Sequence, residues 1–155
     1  MSTEKWIGGS GQGLTWGNAF TGSTLNSIAS GNAIISDIQI DNSSALDIFA
    51  DVSINLASVA VVAPNYVGVY LYPLNADGTT YGDGRFGSSA TGPPASLYWV
   101  GNIIVVAGTS VQEGTTPRII LPPGKFKFLL YNQCGVAFAS AGNTCQYRTY
   151  NRQIV

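Results

Sequence analysis

The run Gly8-Gly9-Ser10-Gly11-Gln12-Gly13 is the first stretch whose residue types and spacing could support chemistry. A Gly-x-Ser-x-Gly elbow would present a serine nucleophile on a tight strand-to-helix turn, but Gln12 stands where the second glycine is needed. A dinucleotide loop needs a strand before it and a helix after it, and neither pattern flanks this run. A flexible arm accounts for it. Ser2 and Lys5 have Ser-x-x-Lys spacing, but at a chain end that frays they have nothing to hold them in register. Asp47 and Asp51 share a strand face, yet four residues of strand separate them by about 13 Å, beyond the reach of a glycosidase pair. Asp77 and Asp83 flank a turn and read as turn residues. The chain has no histidine, which removes the commonest general base and the commonest zinc ligand. Cys134 and Cys145, ten residues apart, lack the further ligands of a metal site. They either pair across a hairpin or, in a chain made in the cytosol, stay as free buried thiols. The expectation is a protein that is not an enzyme, with no catalytic residue, no cofactor and no metal.

Composition points the same way. The 155 residues suit one domain with a sizeable core. Charged residues make up only 10%, against roughly 25% in an ordinary globular domain, while 45% are hydrophobic. Such an exterior must be built from Ser, Thr, Asn, Gly and Tyr, and a charge-poor exterior fits partner contact, because interface cores are depleted in charge. The net charge of −1 leaves no basic footprint for nucleic acid. Apolar stretches such as residues 57–64 are too short to span a bilayer, so no membrane partner is expected. The first residues lack the apolar core of a signal peptide, which makes cytosolic synthesis the default expectation.

The elements that would position these residues are strands. Leu46, Ile48, Ala50, Val52, Ile54 and Leu56 alternate with Asp47, Asp51, Ser53 and Asn55, the period of a half-buried strand. Residues 33–41 alternate in the same way. Further strands are expected at 66–74, 97–107, 118–121, 126–132, 136–140 and 144–152, giving about eight in all. The stretch 97–107, apolar on both faces, reads as a buried central strand. Residues 1–31 are rich in Gly and Ser, with Trp6, Trp16 and Phe20 as isolated anchors. They read as an extended N-terminal arm ordered by a partner, and 32–155 as a β-sandwich domain. Charge adds a constraint on topology. A hairpin between 33–41 and 46–56, with both apolar faces on one side, would set Asp41 opposite Asp47 and Asp37 opposite Asp51. Like charges there are unfavourable. Placing the two strands in different sheets, joined at a corner as in a jelly roll, removes the clash. A calcium ion held by these carboxylates would also remove it, though no calcium-loop pattern surrounds them.

The aromatics are the remaining candidates for function. Tyr66, Tyr70 and Tyr72 share a strand face, Tyr98 and Trp99 adjoin, and Tyr147, Arg148, Tyr150 and Arg152 lie on the terminal strand. Tyr, Trp and Arg are enriched at interface hot spots. Trp6, Trp16, Tyr147, Arg148, Tyr150 and Arg152 are therefore the candidate contact residues. Ordinary sheet packing and a sugar-stacking platform built on Trp99 or Trp16 are the competing readings.

The sequence also resembles the small cement or decoration proteins of tailed-phage heads, especially those of marine and cyanobacterial phages. The matching stretches are Val69-Tyr70-Leu71-Tyr72-Pro73-Leu74-Asn75-Ala76-Asp77-Gly78 and on to Gly84, then Tyr98-Trp99-Val100-Gly101, then Leu121-Pro122-Pro123-Gly124-Lys125-Phe126-Lys127-Phe128 and on to Asn132, and finally Tyr147-Arg148-Thr149-Tyr150-Asn151. They lie mainly after residue 65; earlier residues match loosely around Trp6-Ile7 and Gly8-Gly9. The resemblance implies a jelly-roll-like antiparallel β-sandwich on the outer capsid surface. It implies a homotrimer that ties major capsid protein subunits together against internal DNA pressure, with no catalytic residues. The alternative is a carbohydrate-binding or receptor-binding β-sandwich module of a virion.

Overall fold

A computed structural model describes residues 3–8, 14–58, 60–62, 65–84 and 90–154. Residues 9–13 of the glycine-rich run, and Ser2 of the Ser-x-x-Lys match, lie outside them. The described residues form an all-β protein of two antiparallel sheets, with a single turn of 3-10 helix at Ser96–Tyr98. The strands are β1 (Glu4–Gly8), β2 (Gly17–Asn18), β3 (Asn32–Ile35), β4 (Ile40–Asp41), β5 (Phe49–Leu56), β6 (Tyr66–Pro73), β7 (Ala90–Thr91), β8 (Trp99–Ile104), β9 (Gln112–Ile120), β10 (Lys125–Gln133) and β11 (Thr144–Ile154). One sheet runs β1-β11-β5-β9, with β2 also paired to β11. The other runs β7-β3-β10-β6-β8, with β4 also paired to β10.

The period-two pattern explains the main core. Ala50, Val52, Ile54 and Leu56 from β5 meet Val67, Val69 and Leu71 from β6 and Phe126, Phe128 and Leu130 from β10 in one buried cluster. The opposite face of the six-stranded sheet is buried too. Ala33, Ile35, Tyr70, Tyr72 and Leu129 form a second cluster there with Tyr81. Tyr70 and Tyr72 are thus packing residues, not an open platform. β3 and β4 lie in one sheet and β5 in the other, the arrangement that keeps the Asp37/Asp41 and Asp47/Asp51 pairs from facing one another. Asn42 holds the corner between them. Its buried amide donates to the Asp47 and Pro122 carbonyls and its Oδ1 accepts the Asp47 N–H.

Four expectations need correction. The alternation at Leu46 and Ile48 does not continue the strand: both are exposed, and Leu46 takes a positive φ of 49° in the corner. Residues 97–107 are not a central strand. β8 is the edge of its sheet, and Leu97, Trp99, Ile104 and Val106 are exposed. Residues 136–140 form no strand. The buried Asn132 side chain bonds the Ile28 and Val136 carbonyls and the Cys134 N–H, serving the loop where a partner strand would otherwise do so. Residues 17–31 do not stand away as an arm. Ala19, Phe20, Leu25 and Ile28 are buried in the main core, and burial of three large apolar side chains, at roughly 1.5–3 kcal/mol each, offsets the ordering of their Gly- and Ser-rich neighbours.

Candidate interaction site

Pairing of β11 with β1 and β5 builds the site. Successive strand residues point to opposite faces, so Arg148, Tyr150 and Arg152 lie on one face of β11, and Cys145 and Tyr147 on the other. Register sets Arg148 opposite Asp51, Tyr150 opposite Phe49, and Arg152 opposite Trp6. The result is an aromatic and guanidinium patch on the outer face of the five-stranded sheet. Trp6 meets Tyr150 edge-on at 5.5 Å and Phe49 at 5.9 Å, while Phe49 and Tyr150 stack at 5.8 Å. Trp16 adds its ring beside Arg148, 4.7 Å from the guanidinium carbon to the ring centroid.

Asp51 organises the patch from below. It is 5% exposed, accepts three hydrogen bonds and forms an ion pair with Arg148. Arg148 Nε and Nη2 reach its Oδ2 at 2.9 and 2.8 Å. The Tyr150 hydroxyl and the Arg118 backbone N–H reach its Oδ1 at 2.8 and 3.0 Å. Burial is the largest influence on this carboxyl and pushes its pKa up. The Arg118 N–H, Tyr150 and Arg148 together outweigh burial, and the pKa lies below the ordinary carboxylate value. Burial, then the bond to Asp51, pushes the Tyr150 phenol up to about 12.

Asp51 also sits at a β-bulge. Ala50 pairs with Ile119 and Val52 with Thr116, so one residue of β5 faces two of β9, Pro117 and Arg118. Arg118 adopts a positive φ of 53° there. A cleft of about 460 Å³ opens over this point, lined by Trp6, Leu14, Asp51, Arg118, Arg148 and Tyr150.

Four of the six candidate residues, Trp6, Trp16, Arg148 and Tyr150, are therefore together. Arg152 is beside them, exposed and in a loose ion pair with Glu4 at 3.7 Å. Tyr147 is on the other face. It packs against the main core with its ring 6.0 Å from Phe128, and burial raises its phenol pKa. Parity alone separates it from Arg148. Asp51, Phe49, Leu14 and Arg118 are members that the sequence reading missed. Thr116-Pro117-Arg118 carried a signal, because proline in a strand marks an edge or a bulge.

The arrangement sets partly exposed rings beside guanidinium groups on one sheet face. Among the described residues no group of three or more His, Cys, Asp or Glu side chains could hold a metal ion, and no helix is long and apolar enough to cross a membrane. Both cysteines are free and buried; burial pushes the Cys134 thiol up to about 11 and Cys145 upward as well. Compared with protein-family models, curated proteins and solved structures, the chain shows no match. Fold and site define an all-β protein with an aromatic and guanidinium patch on one sheet face.

Proposed function

We propose that this chain is a viral structural protein, a capsid cement or decoration protein that binds the outer surface of a phage head and stabilises contacts between major capsid subunits. On this reading the two sheets form a jelly-roll-like sandwich, and the protein is made in the host cytoplasm and acts in the virion as a homotrimer without catalysis. The observation that carries the reading is the patch of Trp6, Trp16, Arg148 and Tyr150, in which Asp51 holds Tyr150 and Arg148 from below and the two indole rings pack on them. A surface fixed in this way loses little side-chain freedom on binding, so more of its contact energy appears as affinity. Repetition over a shell lets weak single contacts add through avidity. The sequence resemblance supplies the identity of the shell.

The test compares phage particles with and without the protein. Particles lacking it should release DNA at lower temperature, and adding back the purified protein should restore the loss. Substituting Trp6 by Ala should weaken particle binding by about 2 kcal/mol or more if the ring is a buried anchor. Particles equally robust without the protein would end the proposal. The rival reading has its own supporting observation. Trp99 is about half exposed, and its indole N–H is fixed by the Asn102 side chain at 3.0 Å, as a sugar-stacking ring would be. Glycan binding lost in Trp99→Ala, with particles unaffected, would favour that reading.

A further inference from the structure

We propose that the cleft over the Asp51 bulge is a carboxylate-recognition site, with Arg118 as its cation and Trp6 and Leu14 as apolar walls, built to take an acidic side chain that a partner protein presents beside an apolar residue. The proposal rests on the patch being a contact surface, but not on the partner being a capsid.

Three independent features converge on it. The first is the spare cation. Arg148 already gives Nε and Nη2 to Asp51. The exposed Arg118 side chain makes no hydrogen bond or ion pair with the described residues, and only its backbone N–H is engaged. Its planar fork of donors is matched to a carboxylate. The second is the backbone. A φ of 53° disfavours a side chain such as arginine, and glycine or asparagine would serve the bulge at lower cost. Asp51 holds this conformation through the Arg118 N–H, and a bulge re-aims the side chain it carries. The third is the charge of the cleft. Arg118 and Arg148 against Asp51 leave one net positive charge among its lining residues, beside an indole ring and Leu14. One positive charge suits a monoanion. A phosphate carrying two charges would want a second free cation, and a neutral apolar group would leave the guanidinium unpaired.

The experiment titrates the full chain with 3-phenylpropionate and, separately, with its uncharged amide, following backbone and indole N–H shifts by NMR. The acid should bind about fivefold or more tightly than the amide, with the largest shifts at Arg118 and Trp6, and salt should weaken the acid alone. Arg118→Asn keeps a residue tolerant of positive φ, so it should fold at least as stably as the wild type and lose the preference for the acid. Arg118→Lys should keep part of it. Equal binding of acid and amide, or shifts centred elsewhere, would overturn the site. If Arg118→Asn lost the acid yet bound and stiffened particles like the wild type, the acidic partner would be refuted and the cement role would stand. If the wild type took the acid but ignored particles, the cement role would fall and the carboxylate site would remain.

Discussion

Replacing Asp51 by alanine removes the acceptor of three hydrogen bonds and the partner of the Arg148 ion pair at once, and the cost follows from what each donor can find instead. The Tyr150 hydroxyl belongs to a residue only 7% exposed, so losing its partner costs about 1 kcal/mol or more. The Arg118 N–H, in a part-buried bulge, adds roughly as much. Arg148 contributes less than a fully buried pair would, because about a third of its side chain (31%) reaches solvent and can rehydrate. The sum is roughly 2–4 kcal/mol. For a chain of this length that is a fall in Tm of about 5–15 °C. Urea unfolding followed by tryptophan fluorescence reads it as a lower midpoint at unchanged slope. Tyr150→Phe alone should cost about 1 kcal/mol, and the double variant should cost about 1 kcal/mol less than the two singles combined. Strict additivity, or a single-variant loss for Asp51→Ala under about 1 kcal/mol, would refute the claim that Asp51 organises the patch.

Stability should also depend on pH at both ends. The folded pKa of Asp51 is lowered, so its contribution is present above the unfolded value and lost as pH falls through the folded one. The folded pKa of Tyr150 is raised to about 12, so its contribution is complete below the unfolded value near 10 and lost as pH climbs through 12. Thermal scans across pH should show Asp51→Ala flattening the acid limb and Tyr150→Phe the alkaline limb. Gly82→Ala should destabilise by roughly 2–4 kcal/mol in urea, since a Cβ there would lie 2.4 Å from the buried Tyr72 ring at a φ of +53°. Reductant should leave Tm unchanged, and Cys134 and Cys145 should react with a thiol reagent only on unfolding. Hydrogen exchange should be faster across β1 than across β5, because β1 is an edge strand whose residues are mostly exposed.

The β pattern was legible wherever one face of a strand is buried. Ala50, Val52, Ile54 and Leu56 announced β5 by alternation, and like charges at Asp41 and Asp47 separated β4 from β5. Alternation failed where burial did not follow it. Leu97, Ile104 and Val106 form an apolar run at an exposed edge, and apolar character cannot distinguish an edge awaiting a partner from a central strand. The core role of Phe20, Leu25 and Ile28 was hidden because such anchors in a Gly- and Ser-rich stretch carry no period. Four residues that lie together in the patch, Trp6, Trp16, Arg148 and Tyr150, were singled out by type. Asp51 was not, because its meaning lies in partners 67 and 97 positions away along the chain, brought together only by register.

The placement of Trp6 joins these threads. β1 gains backbone pairing with β11 over five positions, but only about half of the Trp6 ring is covered, with the residue 48% exposed. Burying half of a tryptophan is worth roughly 2–3 kcal/mol, while ordering each strand residue costs about 1–2 kcal/mol. Hydrogen bonds contribute about 1 kcal/mol apiece, so β1 docks on its own sheet near balance. A partner that covers the other half of the ring would add a similar gain and tip that balance toward the docked strand. The same holds for Trp16, which stacks on Arg148 while remaining 37% exposed. Both rings are therefore oriented by their own domain and only partly covered by it, and a contact face gains most from rings that still have area to bury.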